Sequence, residues 1–427
     1  MKEKARMTRR LAGYLGKRLS EAGLAKVEDP RNKRGRRWKL GALLVAMLAG
    51  MMAGSKGLAE VEELTERLSR PIRRLLGIVR RVADTTMRDL LVKLEPDGLR
   101  CMLYRVVKAA QRRKALQPDI FPFGVVSMDG RGTSTRYFDE KYAQVERPQD
   151  QMPFGVVRTI TSALVSTPAR PCIDAHPIPA DTNEMGAFPA ALEALLRAYG
   201  RSLFSVVMYD SGANSKANAQ FVTEHGLDYV FRLQKEQPTL LYEAERLLGR
   251  LDVAQAVAES VELSGGKIVT RRIWLTDEIA AFHDWEHLKV AVRIQTVTEH
   301  KTSGHVSVED RYYTSSLAAG ALTADQWLEM IRRRWSVENQ CHNTWDRIFR
   351  EDDRPWVYDP QGMVSAMLMR RIAYTLLALF RSVTQRSDAR RAVPWKTLLR
   401  DLRDTLVSAE ERHLEELSIR RIEMSVA

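Results

Sequence analysis

Val125-Val-Ser-Met-Asp-Gly130 and Phe204-Ser-Val-Val-Met-Tyr-Asp-Ser-Gly212 are two short apolar runs, each closed by an aspartate with a glycine one or two residues on. Runs of this length, carrying β-branched residues and bounded by turn formers, read as buried strands. An acid at the carboxyl tip of such a strand faces the crevice at the sheet's end, where α/β proteins place their ligands. Asp129 or Asp210 alone would equally suit a helix cap or a turn. Two acids in the same setting favour a shared site.

Working outward, further strands are expected over residues 156–165, 172–178 and 229–233, with helices over 183–200 and 216–225 between them. Asp181-Thr-Asn-Glu184 opens the first of these helices, with Asp181 read as N-cap and Glu184 at N3, close to a capping box. Residues 256–317 read as strands and hairpins around turns at Ser264-Gly-Gly266 and Ser303-Gly304, and helix resumes from Ala324 to about Arg350. The first 115 residues look helical, with breaks at Pro30, Pro71 and Pro96-Asp-Gly98. Strands alternating with helices between helical ends is the pattern of the α/β class.

Length and charge bound the function. A chain of 427 residues with 67 Lys or Arg, 54 Asp or Glu and net charge +13 favours a polyanionic partner, either nucleic acid or an anionic membrane. Residues 1–39 hold fourteen basic and four acidic side chains, so they read as a basic arm on a nearly neutral body. The uncharged run 40–54 is shorter than the roughly 20 residues a membrane span requires and reads as a buried helix. Residues 363–380 are interrupted by Arg370 and Arg371, which argues against a span there too. Cys101, Cys172 and Cys341 are far apart with no CxxC spacing, the usage of a cytosolic chain without a disulfide framework or zinc ribbon. No GxxxxGK[ST] occurs, so an ATP-driven P-loop machine is not supported.

A third acid completes a constellation. Stepping by three and four along the helix after Ala324, the face through Glu338 holds Trp327, Ile331, Arg334, Cys341, Trp345 and Ile348 or Phe349. An acid in that apolar stripe costs several kcal/mol unless a cation compensates it. Arg334 as a structural partner and a metal ion are both open. Asp129, Asp210 and Glu338 together form the hard-oxygen set that a two-metal phosphoryl-transfer site needs, with Mg²⁺ as the expected ion.

These residues carry a resemblance. Met128-Asp-Gly-Arg131, Val207-Met-Tyr-Asp-Ser-Gly212, Gly226-Leu-Asp-Tyr-Val-Phe-Arg-Leu233, and Arg334-Trp-Ser-Val-Glu-Asn-Gln-Cys-His342 with Asp346, Phe349 and Glu351-Asp352 are similar, in order, to the DDE transposases of bacterial insertion sequences. The layout most resembles the H-repeat-associated group, and Glu28-Asp-Pro-Arg31 followed by the Ala/Gly-rich run from Leu40 looks like its N-terminal associated domain. The resemblance implies an RNase H-like catalytic core with Asp129 on its first strand, Asp210 on its fourth and Glu338 on a helix after a β-rich insertion. It implies two Mg²⁺, with Mn²⁺ able to substitute, held by those three acids. Double-stranded DNA would be the partner, at element ends and at the target, with a homodimer on paired ends and no membrane. Ile331 stands where related transposases have Tyr, Trp345 where they have Lys, Asn343 for Trp and Thr182 for Lys, which puts the DNA contacts near the metal site in question.

The implied organisation is a basic leader at 1–39, a helical DNA-binding or assembly domain at 40–118, and a catalytic core at 119–238 and 312–355. A β-rich insertion would occupy 239–311 and a helical tail 356–427. Arg334, Asn339 and His342 near the third acid, and Lys33, Arg34, Arg36 and Arg37 in the leader, are the expected DNA contacts. His283-Asp-Trp-Glu-His287 fits the HxxEH zinc-peptidase pattern literally, but a strand follows at once, so a loop is expected instead of a zinc-binding helix face. The expected activity is metal-dependent DNA cleavage and strand transfer by a bacterial, cytoplasmic protein that is nucleoid-associated when bound. A DNA-binding relative without activity and a stand-alone nuclease of the same fold are the alternatives.

Overall fold

In the computed structural model, which describes residues 2–149 and 152–415, the two aspartate-tipped runs lie side by side in one mixed sheet. Its strands are β1 (Val125–Thr135), β2 (Ala143–Glu146), β3 (Phe154–Leu164), β4 (Cys172–Pro177), β5 (Val206–Tyr209), β6 (Asp228–Leu233), β7 (Ala258–Ser264), β8 (Lys267–Thr276), β9 (Val290–His300) and β10 (Val306–Ser315). The order is β2-β3-β1-β5-β6-β10-β9-β8-β7, with β4 also paired to β3. β4, β3 and β1 form an antiparallel meander, and β5 and β6 run parallel to β1, which is the RNase H-like arrangement.

Two expectations change. β1 does not stop at Met128: it continues through Gly130 to Thr135 because the long β3 pairs with it throughout, Asp129 opposite Thr161 and Thr135 opposite Gly155. Asp129 therefore sits mid-strand, and only Asp210 follows a strand end. The β-rich segment is no separate layer either. β10 pairs antiparallel with β6, so the hairpins β7–β8 and β9–β10 extend the core sheet.

Helices cover the sheet and form a second body. The N-terminal set is α1 (Lys2–Glu21), α2 (Leu40–Met52), α3 (Leu58–Arg67), α4 (Arg70–Leu76), α5 (Asp84–Leu91) and α6 (Pro96–Arg112). Within the sheet region lie α7 (Glu184–Tyr199), α8 (Lys216–Glu224), α9 (Pro238–Leu248) and α10 (Ala324–Arg334); after a π-helical turn at Val337–His342 comes α11 (Asn343–Arg347). The chain closes with α12 (Pro360–Leu379), α13 (Asp388–Arg391) and α14 (Trp395–Ser408). In α9, Leu240, Ala244 and Leu248 recur every fourth residue and bury against Trp274 and Tyr312, a face too short to stand out from the strands around it.

The basic first helix is part of this core, not a free arm. Leu11, Leu15 and Leu19 of α1 are buried, and Tyr14 donates its hydroxyl proton to the Leu376 carbonyl in α12. α12 packs on α2, α5 and α6 on one side and on β4 on the other, so the C-terminal segment is the centre of the helical body rather than a tail. Pro360–Thr384 is long and apolar enough to cross a membrane, yet here residues 362–380 are buried inside the protein. Arg370 and Arg371 within it meet buried Glu351.

The sheet and the helices are joined by charge as well as apolar packing. Arg100 of α6 makes a two-pronged pair with Asp174 of β4, at 3.0 and 2.7 Å, and donates to His176 Nδ1 at 2.9 Å. Burial, and then Arg100, push the His176 imidazole down to about 4, so it is the neutral acceptor. Removing one partner of a buried pair strands the other charge. Asp174→Ala is expected to cost roughly 3–5 kcal/mol in chemical denaturation, and pairing it with Arg100→Leu to recover most of that. A single-mutant loss under about 1 kcal/mol would show that this pair does not hold sheet to helices.

Candidate functional site

Register places the first two acids. β1 and β5 are parallel with Met128 beside Tyr209, so the next residues, Asp129 and Asp210, emerge together. Side chains alternate across a strand, which puts Ser127, Asp129 and Arg131 on one face. Each meets the stretch that begins at the end of α10. Ser127 donates to the Arg334 carbonyl at 3.1 Å, Asp129 Oδ2 lies 3.5 Å from His342 Nδ1, and Arg131 pairs with Asp346 and Asp352.

The third acid comes from the π turn. α10 ends at Arg334 and Val337–His342 winds with the wider π spacing, so the expected continuous helix to Arg350 is interrupted at Glu338. The apolar face reads as expected, with Trp327, Ile331, Cys341 and Trp345 fully buried. Glu338 itself is not sealed in: its side chain is 44% exposed, at the mouth of the site. Carboxylate oxygens of Asp129, Asp210 and Glu338 lie within 4.8 Å of one another.

Packing acids this closely has a visible electrostatic cost. Burial, and then the Glu338 carboxylate, push the Asp129 carboxyl up to about 8, with Arg334 opposing and Asp210 and Glu184 adding to the rise. Arg334 is 2% exposed and reaches both Glu338 (3.5 Å) and Asp210 (3.9 Å), and Arg232 of β6 lies 3.4 Å from Asp210. Burial works against the charge of Arg334, but Tyr313 and the surrounding acids outweigh it and hold the guanidinium protonated. Arg334 is thus a counter-ion inside the cluster rather than a surface cation. His342 beside Asp129 is neutral, its imidazole pushed down to about 3 by burial and by Arg131 and Arg371, so this contact is not an ion pair.

A fourth carboxylate does not stand out along the chain. α7 is capped by Asn183, which accepts from the Gly186 N–H; Glu184 is its first residue, and the expected Asp181 cap is not used. Glu184 lies against the backbone beside both aspartates: a Cβ on Gly130 would come within 1.9 Å of its Oε1, and one on Gly212 within 3.0 Å of its Oε2. The glycines after Asp129 and Asp210 therefore make room for Glu184. Burial raises its pKa, Arg158 opposes and Asp210 adds to the rise. The available signal was the pair of Asp…Gly spacings, whose need for space at the same depth is not visible in the linear order of residues.

Other expected residues lie elsewhere. Asn339 is exposed and faces away from the acids, into a groove with Arg170 and Arg332. Lys33, Arg34, Arg36 and Arg37 lie on the linker between α1 and α2, and none contacts the acids among the described residues. Arg36 folds back onto the Arg31 and Asp29 carbonyls, whereas Arg37 lines a groove of about 690 Å³ with Trp38, Lys39 and Arg70. Ile331 and Trp345, two of the four departures from the related pattern, are core residues; Arg371 stacks 3.7 Å over the Trp345 ring. The His283–His287 stretch is a loop with His283 at φ 52°, so its histidines share no helix face.

An all-carboxylate, hard-oxygen set with more acids than neighbouring arginines fits a divalent cation. A family model described as "Transposase DDE domain" matches residues 159–376, which include Asp210 and Glu338, and one described as "DDE_Tnp_1-associated" matches residues 22–106. The "Uncharacterized protein in dhlA 3'region" of Xanthobacter autotrophicus is 34% identical over 148 residues, 32% of this chain and 46% of its own length. The "H repeat-associated putative transposase YhhI" of Escherichia coli K12 is 28% identical over 183 residues, 40% of this chain and 46% of its own. The chain thus spans about half the length of these curated relatives. A piggyBac transposase synaptic complex with hairpin DNA aligns with 96% of this chain and 84% of its own at TM-score 0.40 and 10% identity.

The Asp129 shift has a signed consequence. In the metal-free protein its contribution to stability is complete below the unfolded value of 3.8 and is lost as pH rises through about 8. A divalent cation needs the ionised form, so binding should release a proton and tighten from pH 6 to 8. Calorimetric titration of Mg²⁺ or Mn²⁺ in two buffers of different protonation enthalpy reads both effects, and Asp129→Asn should remove them. Binding without proton release would take Asp129 out of the ligand set.

Proposed function

The chain belongs to the DDE transposase family, and from that membership we propose that it is a transposase that cleaves DNA at the ends of its own mobile element and joins them to target DNA. The observation that carries this reading is the convergence of Asp129, Asp210 and Glu338, from two strands and a helical turn far apart in sequence, within 4.8 Å. Mg²⁺, with Mn²⁺ able to substitute, is the cation these acids would hold. Bound there, it would supply Lewis acidity to the attacking and leaving oxygens of an in-line displacement.

The protein's own side chains do the positioning. Arg334 and Arg232 hold the Asp210 and Glu338 carboxylates against mutual repulsion. Neutral His342 limits the swing of Asp129, and the Arg131–Asp346 pair fixes strand to helix. Glu338, half exposed, is the ligand through which a phosphodiester reaches the cluster. Water and then a freed 3′-OH would be the successive attacking groups, with no covalent enzyme intermediate. Lys33, Arg34 and Arg37 would meet DNA phosphates, a reading that their exposure supports. A homodimer on paired ends, acting at the bacterial nucleoid, completes the proposal.

Asp129→Ala, Asp210→Ala and Glu338→Gln should each reduce Mg²⁺-dependent cleavage by about a thousandfold or more while retaining DNA binding. A variant that still cuts removes its residue from the site. Wild-type protein that binds DNA but cuts with neither Mg²⁺ nor Mn²⁺ is a relative without activity. Protein that cuts but does not join pre-cleaved ends to a plasmid is a nuclease.

A further inference from the structure

The helical segment that carries Glu338 has two sides. Arg334, Glu338 and His342 face the acids, while Trp335, Ser336 and Asn339 face a separate groove of about 340 Å³ walled on its far side by the β7–β8 hairpin. Its lining cations are Arg170, Lys267, Arg271, Arg332 and Arg333, with Glu262 and Glu329 among them. Of the three consecutive arginines in α10, Arg332 is the most exposed and pairs with Glu262 and Glu329 at 3.1 and 3.0 Å, whereas Arg333 is buried on Asp119 and Glu329, and Arg334 on the acids.

Arg170 is the anomalous member. It sits in the turn between β3 and β4 at φ 42°, in the left-handed region that residues with a side chain avoid. Its Nη1 donates to Ser336 Oγ at 3.0 Å, and among the described residues no carboxylate forms an ion pair with it. Burial, and then neighbouring Arg333, push its pKa down, as expected of an under-neutralised cation. Strained, partly buried charge without a carboxylate partner is more often found at binding sites than in passive surface. Lys267, at the start of β8, is exposed and likewise has no ion-pair partner among the described residues. Arg271 and Arg332, from opposite walls, share Glu262 at 3.1 Å each. The Trp335 ring has Arg311 and Arg334 at 4.7 and 5.4 Å, so its faces are taken by cations and are not open to a base.

We propose that this groove is a phosphate-backbone subsite, in which Arg170, Lys267, Arg271 and Arg332 grip the DNA strand running past Glu338 and Glu262 neutralises two of these cations until DNA displaces it. The proposal rests on the transposase reading. One helix width, about 10 Å, separates the groove from the acids, so the same strand reaches both within a few nucleotides. With Trp335 covered, the subsite reads charge and not sequence.

The test uses the full chain and a labelled mixed-sequence DNA duplex with a single-stranded tail, titrated over a range of NaCl concentrations. Lys267→Gln and Arg170→Gln should each weaken binding about three- to tenfold and reduce the slope of log K against log salt by roughly 0.7–0.9 for each phosphate that is no longer neutralised. Glu262→Gln should tighten binding by a similar factor, an effect that a merely structural bridge would not produce. Calorimetric Mg²⁺ binding should be unchanged in all three. Unchanged affinity and slope in Lys267→Gln and Arg170→Gln, or weaker binding by Glu262→Gln, overturns the subsite while leaving the transposase reading in place. Wild-type protein that neither binds nor cuts DNA overturns both.

Discussion

Strand β1 is held against the segment from Arg334 to Asp346 at three points, through Ser127, Asp129 and Arg131, and the acid cluster exists only because that contact is fixed. Asp129 and Glu338 are more than two hundred residues apart in sequence and have no covalent reason to meet. Arg131 supplies the strongest tie: it reaches Asp346 and Asp352, and lies 3.2 Å from Glu351. Glu351, fully buried, also meets Arg370 and Arg371 of α12, so the same network anchors the sheet to the helical body. Such buried networks add little net stability, but an alternative packing would strand their charges, and that specifies one arrangement.

Around the acids the charge balance is incomplete. Four carboxylates, counting Glu184, share the neighbourhood with Arg334, Arg232 and, more remotely, Arg158. Burial, and then the neighbouring acids, keep a proton on Asp129 to about pH 8, which a divalent cation would replace. A fold selected only for stability would not gather these groups. Local conflict of this kind is where a functional site is expected.

The helical body changes the meaning of the net charge. The basic residues of the first 39 positions do not form a flexible arm, because Leu11, Leu15 and Leu19 give α1 a buried stripe and Tyr14 secures it to α12. Their charge is displayed on a folded surface, with Arg31 and Arg36 already committed to Asp29. Exposed positive charge is therefore distributed between that surface and the groove behind Glu338.

Much of the fold was legible along the chain, since strand and helix periods and turn residues are local properties. The strands after residue 256 and the core strands β3, β4, β5 and β6 fall within a few residues of their expected bounds. Asp129, Asp210 and Glu338 stood out because each is an acid in an apolar run. Local pattern could not show where β1 ends, since its length is set by pairing with β3. Nor could it show the π turn, the Glu184 carboxylate over Gly130 and Gly212, or which arginine of α10 faces outward. The sequence by itself determined which elements form and which acids are anomalous, because burial preference and backbone propensity act within a few residues. Only the tertiary structure decided which charges meet, because their pairing depends on strand register and helix packing between segments remote in the chain.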